Sequence, residues 1–405
     1  MIETRITDPP EFSLALRTSL RIGAGTLKSL PAVVENAVRA KRPCLVVDGP
    51  VFDSSAYVRD VVSAFRSRYP ETVVLEYREP FEPTYQYLDR ISHHVRAGNG
   101  VSVDAIVGIG GGSVLDTAKA LATLATNPGE AIKYRGFPTD ITAPLPTVAV
   151  PTTAGTGSEV AFNAVFTDER EQKKLGINSL LNYPVVSILD PLCIVGAPRS
   201  VIVSSGLDAL VHTLEGFTSC KATSASRVFS REAFRRIMGH LPRLADDTHS
   251  LSDAQEMQVG AAFAMLGMAN SSSGIAGAMS YHIGTHFKVP HGIAGGVFIP
   301  QVMRLVHEHG WHGLADLADL LPEGGGGATT IVARSARVVA AIEALVGRVG
   351  MPQTLEPLGI GPDALEGCVS FANTTMRGAR DLTPVTLSDD VIAGWLEKMT
   401  AAPSN

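Results

Sequence analysis

What most constrains this chain is a change of texture part way along it. Five short aliphatic runs, at residues 44–47, 73–75, 105–109, 147–150 and 185–189, punctuate the first half. Each is too short for a helix and lacks the alternation of a strand with one wet face, so each reads as a buried strand. The longer amphipathic stretches between them, such as 56–67 and 115–126, read as helices. Strands that alternate with helices predict a mostly parallel sheet joined by crossovers. Beyond about Pro198 the strand-like runs give way to candidate helices at 206–217, 224–241, 252–268, 330–349 and 388–399. The expected fold is an α/β N-terminal domain with a mostly parallel sheet over residues 1–196, followed by an all-α C-terminal domain over 197–405. The four-glycine run at 324–327 reads as a connection between helices, without chemistry of its own.

Composition supports two packed cores: 45% of the 405 residues are hydrophobic and 18% are charged, which excludes a disordered chain. With 34 basic against 40 acidic side chains and no run of Lys or Arg, the surface offers nothing to hold nucleic acid or anionic lipid. The most nearly continuous apolar stretch, 259–269, spans eleven residues and includes Gly260 and Gly267. A bilayer core of ~30 Å needs about 20 residues, so no membrane span is expected. The first residues carry acids and Pro9-Pro10 where a secretory signal has a basic start and an apolar stretch, so a cytoplasmic protein is expected. Cys44, Cys193, Cys220 and Cys368 lie far apart, as reduced thiols in a large fold do.

Two loops carry the chemistry of the first half. Gly108-Ile-Gly110-Gly111-Gly112-Ser113 follows the strand at 105–109 and opens the helix that contains Asp116 and Lys119. Strand, glycine turn and helix start place free N–H groups and a helix dipole against the turn, which suits a pyrophosphate. Tight βα turns also use glycine for purely conformational reasons, and the spacing is not the GxGxxG of an ordinary Rossmann fingerprint. The second loop, residues 151–159, follows the strand at 147–150 and offers the hydroxyls of Thr152, Thr153 and Ser158 at the end of the sheet where ligands bind. Two such loops converge on one crevice more plausibly than by accident. Asp48 ends the first clear strand, where a carboxylate accepts hydrogen bonds from an adenosine ribose; a turn-forming Asp before Gly49-Pro50 is the plainer alternative.

Gly110-Gly111-Gly112-Ser113 with Asp116 and Lys119, then Pro151 to Glu159, then Gly206-Leu-Asp208-Ala-Leu-Val-His212, then Pro290-His291-Gly292, resemble in order and spacing the iron-containing (group III) alcohol dehydrogenase family of the dehydroquinate-synthase-like superfamily. The resemblance runs from Gly23-Ala-Gly25 to Asp390. It implies a cofactor domain, a helical domain, and a cleft between them for NAD(P) and one divalent metal. Carried over by position, Gly110, Gly111, Gly112 and Ser113 would bind the pyrophosphate and Asp116 would line the cofactor site. Thr152 and Thr153 would lie beside phosphate and nicotinamide, and Asp48 would stand at the adenosine ribose, favouring NAD over NADP. The implied activity is hydride transfer between an alcohol and an aldehyde or ketone, by a homodimer or larger homo-oligomer whose N-terminal edge strand is the pairing surface.

Asp208 and His212 stand four apart in an apolar stretch, so both emerge on one helix face within reach of one ion. A carboxylate with imidazoles suits Fe or Zn better than Mg or Ca. The resemblance adds His291 as a third ligand and places a further histidine fourteen residues before it, where this chain has Gly277. Where the family often has a histidine near the reacting carbonyl, this chain has Tyr281, with His282 and His286 nearby. Three readings follow, in order of preference: His282, His286 or water completes the metal site; Tyr281 or His282 acts as a proton donor without metal; or the chain is an NAD-binding pseudoenzyme or assembly subunit. Ser280-Tyr281 and residues 286–292 also resemble the phosphonoacetaldehyde reductase branch, a lesser option beside a carbonyl or alcohol of a larger biosynthetic intermediate. Glu215, Lys288 and Arg304 are candidate cleft residues, with a solvated surface as the plainer reading of each. A non-enzymatic scaffold is less well matched by Asp208, His212 and His291 together, and Pro290-His291-Gly292 with Pro151 to Glu159 points away from a lyase or glycerol-phosphate dehydrogenase of the same superfamily.

Overall fold

The computed structural model describes residues 12–80, 82–96, 103–171, 173–324, 327 and 329–401. Pro9, Pro10 and the middle of the 324–327 glycine run therefore lie outside the described residues. In chain order the strands are β1 (Ser19–Ile22), β2 (Pro43–Asp48), β3 (Val73–Tyr77), β4 (Ala105–Gly110), β5 (Thr147–Pro151), β6 (Asn163–Asp168), β7 (Lys173–Asn178) and β8 (Val186–Leu189). Six of them form one sheet in the order β1-β8-β5-β4-β2-β3, parallel at every step. β4, β5 and β8 are buried along their whole length, which is why their sequences show no alternation. β6 and β7 pair antiparallel as a separate hairpin. Helix α1 (Ala56–Arg68), capped by the Ser55 hydroxyl on the Val58 N–H, and helix α2 (Gly112–Thr126) belong to this half.

The second half contains α3 (Arg199–Thr218), α4 (Ser224–Asp246), α5 (Leu251–Ala269), α6 (Ile275–Phe287), α7 (His291–Glu308), α8 (Ile331–Arg348) and α9 (Asp389–Thr400), besides shorter helices. α3 is buried without a break from Gly206 to Thr218 and packs against α4, α5 and α7. A helix apolar nearly all round has to lie inside a bundle.

All five expected strands form within a residue or two of their expected bounds. The structure adds β1, the β6–β7 hairpin, α6 and α7 to them, and it starts α3 at Arg199 rather than 206. β1 is mostly exposed and becomes a strand only by pairing with β8 from Ser19–Val186 to Ile22–Leu189, so no apolar run announces it. Among the described residues no helix is long and apolar enough to cross a membrane.

Candidate functional site

The glycine loop is shaped by what passes close to it. A Cβ on Gly110 would lie 2.5 Å from Val114 Cβ, and one on Gly112 2.5 Å from Thr156 Cγ2, so the helix start and the second loop both require bare backbone there. The Thr152 N–H donates to the Gly110 carbonyl at 3.0 Å and ties the two loops together. Asp116 completes the tie: the Ser158 hydroxyl donates to its Oδ1 at 2.5 Å and the Val165 N–H to its Oδ2 at 2.8 Å. Lys119, fully buried, reaches the same carboxylate at 3.1 Å and the carbonyls of Ser158 and Asn163. Burial pushes its ammonium below the usual lysine range, and the Asp116 charge works against that. Asp116 lines the cleft, but both of its oxygens hold protein.

Gly111, Gly112, Ser113 and Thr153 line a cleft of ≈ 650 Å³ together with Asp48 and His291. It runs into a second space of ≈ 500 Å³ that shares Gly112, Ser113, Thr153, Glu82, Lys174 and His291 and reaches Asp208, His212 and Tyr281. Thr152 is buried beneath the loop, its Oγ1 without a partner among the described residues. The plainer reading of Asp48 holds, since its Oδ1 caps the short helix Gly49–Ser54 by accepting from the Val51 N–H at 3.0 Å, and Asp48 also lines the cleft. These residues fit a dinucleotide, with first-turn N–H groups of α2 at the positive end of its dipole and the Asp48 carboxylate lining the same cleft.

Asp208 and His212 leave the same face of α3, and His291 is the first residue of α7. His212 Nε2 lies 3.6 Å and His291 Nε2 3.7 Å from Asp208 Oδ1, and the three donor atoms all fall within 4.8 Å of one another. The helices come this close because α7 presents glycine to α3. A Cβ on Gly292 would sit 2.0 Å from the Ser204 carbonyl oxygen, and one on Gly296 2.7 Å from Leu207 Cδ1. Asp208 Oδ1 is buried and makes no hydrogen bond among the described residues, and Nδ1 of both histidines is likewise unpartnered. Burial lowers the His291 pKa, partly offset by Asp208, so the imidazole keeps a lone pair. An orphaned carboxylate oxygen and two imidazoles at this spacing fit one first-row divalent ion.

The structure does not bring His282 or His286 to this cluster. Their rings pack on each other at 4.4 Å, and His282 stacks on Phe371 at 4.6 Å, on another side of α6. Desolvation holds His282 down to about 4, as befits a ring wedged against an aromatic neighbour. Gly277 does face a carboxylate, which is Glu215. Fully buried, Glu215 accepts the Gly274 N–H at 2.8 Å and the Gly277 N–H at 2.9 Å, closing the first turn of α6 onto α3. Burial raises its pKa and these N–H groups lower it in part. Glu215 is therefore not the surface charge of the plainer reading. Tyr281 packs against His291 at 4.7 Å with the Lys174 ammonium 5.4 Å over its ring. Its pKa is raised, chiefly by desolvation and then by Asp208, so the phenol stays protonated. Lys288, held at φ 58, lines the cleft just before the Pro290-His291-Gly292 turn. Arg304 pairs with Glu343 elsewhere.

Lys174 and Glu82, an ion pair inside the cleft, were missed by sequence reasoning. Lys174 comes from the unpredicted hairpin, and a lysine that follows Lys173 in a charged stretch carries no signal of burial.

Two family models together span most of the chain: "Iron-containing alcohol dehydrogenase" over residues 17–191 and "Fe-containing alcohol dehydrogenase family, C-terminal" over 202–399. The chain is 35% identical over 258 residues to the 1,3-propanediol dehydrogenase of Klebsiella pneumoniae, covering 64% of this chain and 66% of that protein, just under two thirds of its length. It is 28% identical over 345 residues to the NAD-dependent methanol dehydrogenase of Bacillus methanolicus, covering 85% and 89%. Among solved structures, a 1,3-propanediol oxidoreductase superposes with a TM-score of 0.87 at 26% identity, covering 96% of this chain and all of that one.

Proposed function

Because this chain belongs to the iron-containing alcohol dehydrogenase family, we propose that it is an NAD(P)-dependent oxidoreductase interconverting a small alcohol and its aldehyde or ketone, with NAD preferred and one divalent metal, Fe or Zn, at Asp208, His212 and His291. The observation that carries the reading is the convergence of those three donors at the end of the cleft that the glycine loop also lines. Relatives named for propanediol and methanol support a small substrate.

In this reading the first-turn N–H groups of α2 at Gly112 and Ser113 hold the pyrophosphate, and Asp48 accepts from the adenosine ribose. Thr153 borders the space where the nicotinamide and substrate meet. Asp208, His212 and His291 would hold the ion, and when bound it supplies Lewis acidity toward the reacting oxygen. Tyr281, protonated and fixed between His291 and Lys174, donates a hydrogen bond into the same space. Division into residues 1–196 and 197–405 puts cofactor loops on one side of the cleft and metal donors on the other. Oligomerisation as a homodimer or larger is supported by β1, an edge of the sheet among the described residues, with Leu16 and Ile22 exposed there.

The test is metal content of protein purified without oxygen or chelator, together with NADH binding and turnover across short aldehydes and alcohols. About one equivalent of Fe or Zn per chain is expected, lost in Asp208→Ala and His212→Ala with NADH binding kept. Tyr281→Phe is expected to keep the metal and lower kcat about tenfold or more. Unchanged metal content and turnover in both ligand variants would overturn the assignment.

A further inference from the structure

Asp48 is not the sole charged group where β2 ends. In the sheet Asp48 is registered against Tyr77 of β3, and the next residue, Arg78, folds back across the turn. Its side chain lies flat on the backbone of Gly49: a Cβ there would meet Arg78 Cγ at 2.7 Å, Cζ at 2.9 Å and Nε at 3.0 Å. Gly49 is thus the residue that lets a guanidinium lie beside Asp48 at the carboxyl end of the sheet.

That guanidinium is already clamped. Its Nη1 and Nη2 donate to the two oxygens of Asp53 at 2.8 and 3.0 Å, a bidentate pair. Its Nε and Nη2 donate to Glu76 Oε2 at 2.8 and 2.6 Å. Arg59 also acts on Asp53, so with Asp48 the local charge is two positive against three negative, +2 − 3 = −1. In dinucleotide sites a carboxylate at this strand end accepts from the ribose 2′-hydroxyl of NAD, whereas a nearby arginine accommodates the 2′-phosphate of NADP. This chain holds both groups at one place, and its carboxylates occupy the arginine.

We propose that Arg78 is a captive receptor for the 2′-phosphate, and that the clamp of Asp53 and Glu76 on it, rather than Asp48 alone, sets the choice of NAD over NADP. The inference rests on the reading of the cleft as a nicotinamide dinucleotide site. Release of the guanidinium supplies a planar donor fork that matches a phosphate, and removal of three carboxylates lifts the repulsion of a dianion.

The experiment titrates NADH and NADPH fluorescence on the full-length protein, at low and high salt. Asp48→Ser removes the charge while keeping a side chain able to cap the helix at Gly49–Ser54. Asp53→Asn and Glu76→Gln open the clamp; all three side chains of the clamp are at least 40% exposed, and exposed ion pairs add little to folding. Asp48→Ser alone is expected to tighten NADPH about tenfold, and the triple variant by about tenfold more, with the gain shrinking as salt screens it. Arg78→Leu in the triple background abolishes the second gain, and Arg78→Lys, which keeps charge without the fork, retains part of it. If the triple variant binds NADPH no better than Asp48→Ser, or keeps its gain with Arg78→Leu, the inference is wrong although NADH still binds. If wild type binds neither nucleotide, the cofactor reading fails and takes the inference with it.

Discussion

Gly292→Ala tests whether the metal donors converge because two helices are allowed to touch. The added methyl would sit 2.0 Å from the Ser204 carbonyl oxygen, 2.9 Å from its carbon and 3.1 Å from Asp208 Cβ. An ordinary carbon–oxygen contact is about 3.2 Å or more, so α7 and α3 must separate by roughly 1 Å at this point. The obstacle is backbone and cannot rotate away. Overpacking of this kind costs about 1–3 kcal/mol. The larger consequence is local, because His291 is the neighbouring residue while Asp208 and His212 stay on α3. Metal–ligand distances tolerate about 0.2 Å, and a misplacement of 1 Å in a reacting site costs about 10²-fold. We therefore expect kcat/KM to fall about 100-fold, which is about 2.7 kcal/mol, with metal affinity falling at least tenfold and NADH affinity within about twofold. Chelator competition measures the metal, fluorescence the cofactor, and steady-state kinetics the turnover. Gly394→Ala in α9, where a Cβ meets nothing within 4 Å, is the control and should stabilise by about 0.5–1 kcal/mol. Wild-type metal affinity and turnover in Gly292→Ala would refute the argument from close approach.

Glu159, buried beside Lys119, has its carboxyl lifted by burial from 4.5 to about 7. The folded state holds this proton more tightly than the unfolded chain, so its contribution to stability is fully present below about pH 4.5 and is lost as the pH rises toward 7, a swing of about 3 kcal/mol. Glu159→Gln should flatten that part of the stability profile between pH 5 and 8 in denaturant titrations, and parallel profiles for the two proteins would count against it. Glu215→Ala leaves the half-buried N–H of Gly274 and the buried N–H of Gly277 without an acceptor, at about 1–3 kcal/mol for the buried one. Hydrogen exchange at those two amides should quicken by a hundredfold or more; protection equal to wild type would show that Glu215 does not hold α6.

Much of the sheet was legible because a buried parallel strand advertises itself: residues 44–47, 105–109 and 147–150 are apolar on both faces and bounded by turns. The glycine loop was legible for the same local reason, since Gly110 and Gly112 answer to contacts with residues near them in sequence or in the adjoining loop. Asp208 and His212 were readable as a pair from a spacing of four. The β6–β7 hairpin was not, because its charged second strand gains its place from Asn163–Asn178 through Asp168–Lys173 pairing rather than from a pattern of its own.

The sequence by itself determined the order of elements, the two polar loops at strand ends and the types of side chain available for an ion. Those follow from short-range rules: periodicity, turn chemistry and one-turn spacing. The family resemblance already pointed to His291, and tertiary structure alone decided that neither His282 nor His286 joins it at Asp208, since the three are equivalent as residues and differ in the direction their backbone gives them. His282 stacks on Phe371 and His286 packs on His282, while the turn through Lys288 and the bare backbone of Gly292 against Ser204 bring His291 to α3. It alone decided that Glu215 closes α6, that Lys174 enters the cleft, and that Arg78 lies captive beside Asp48. Each of these depends on the distance between segments far apart in the chain, and that distance is set by which surfaces pack.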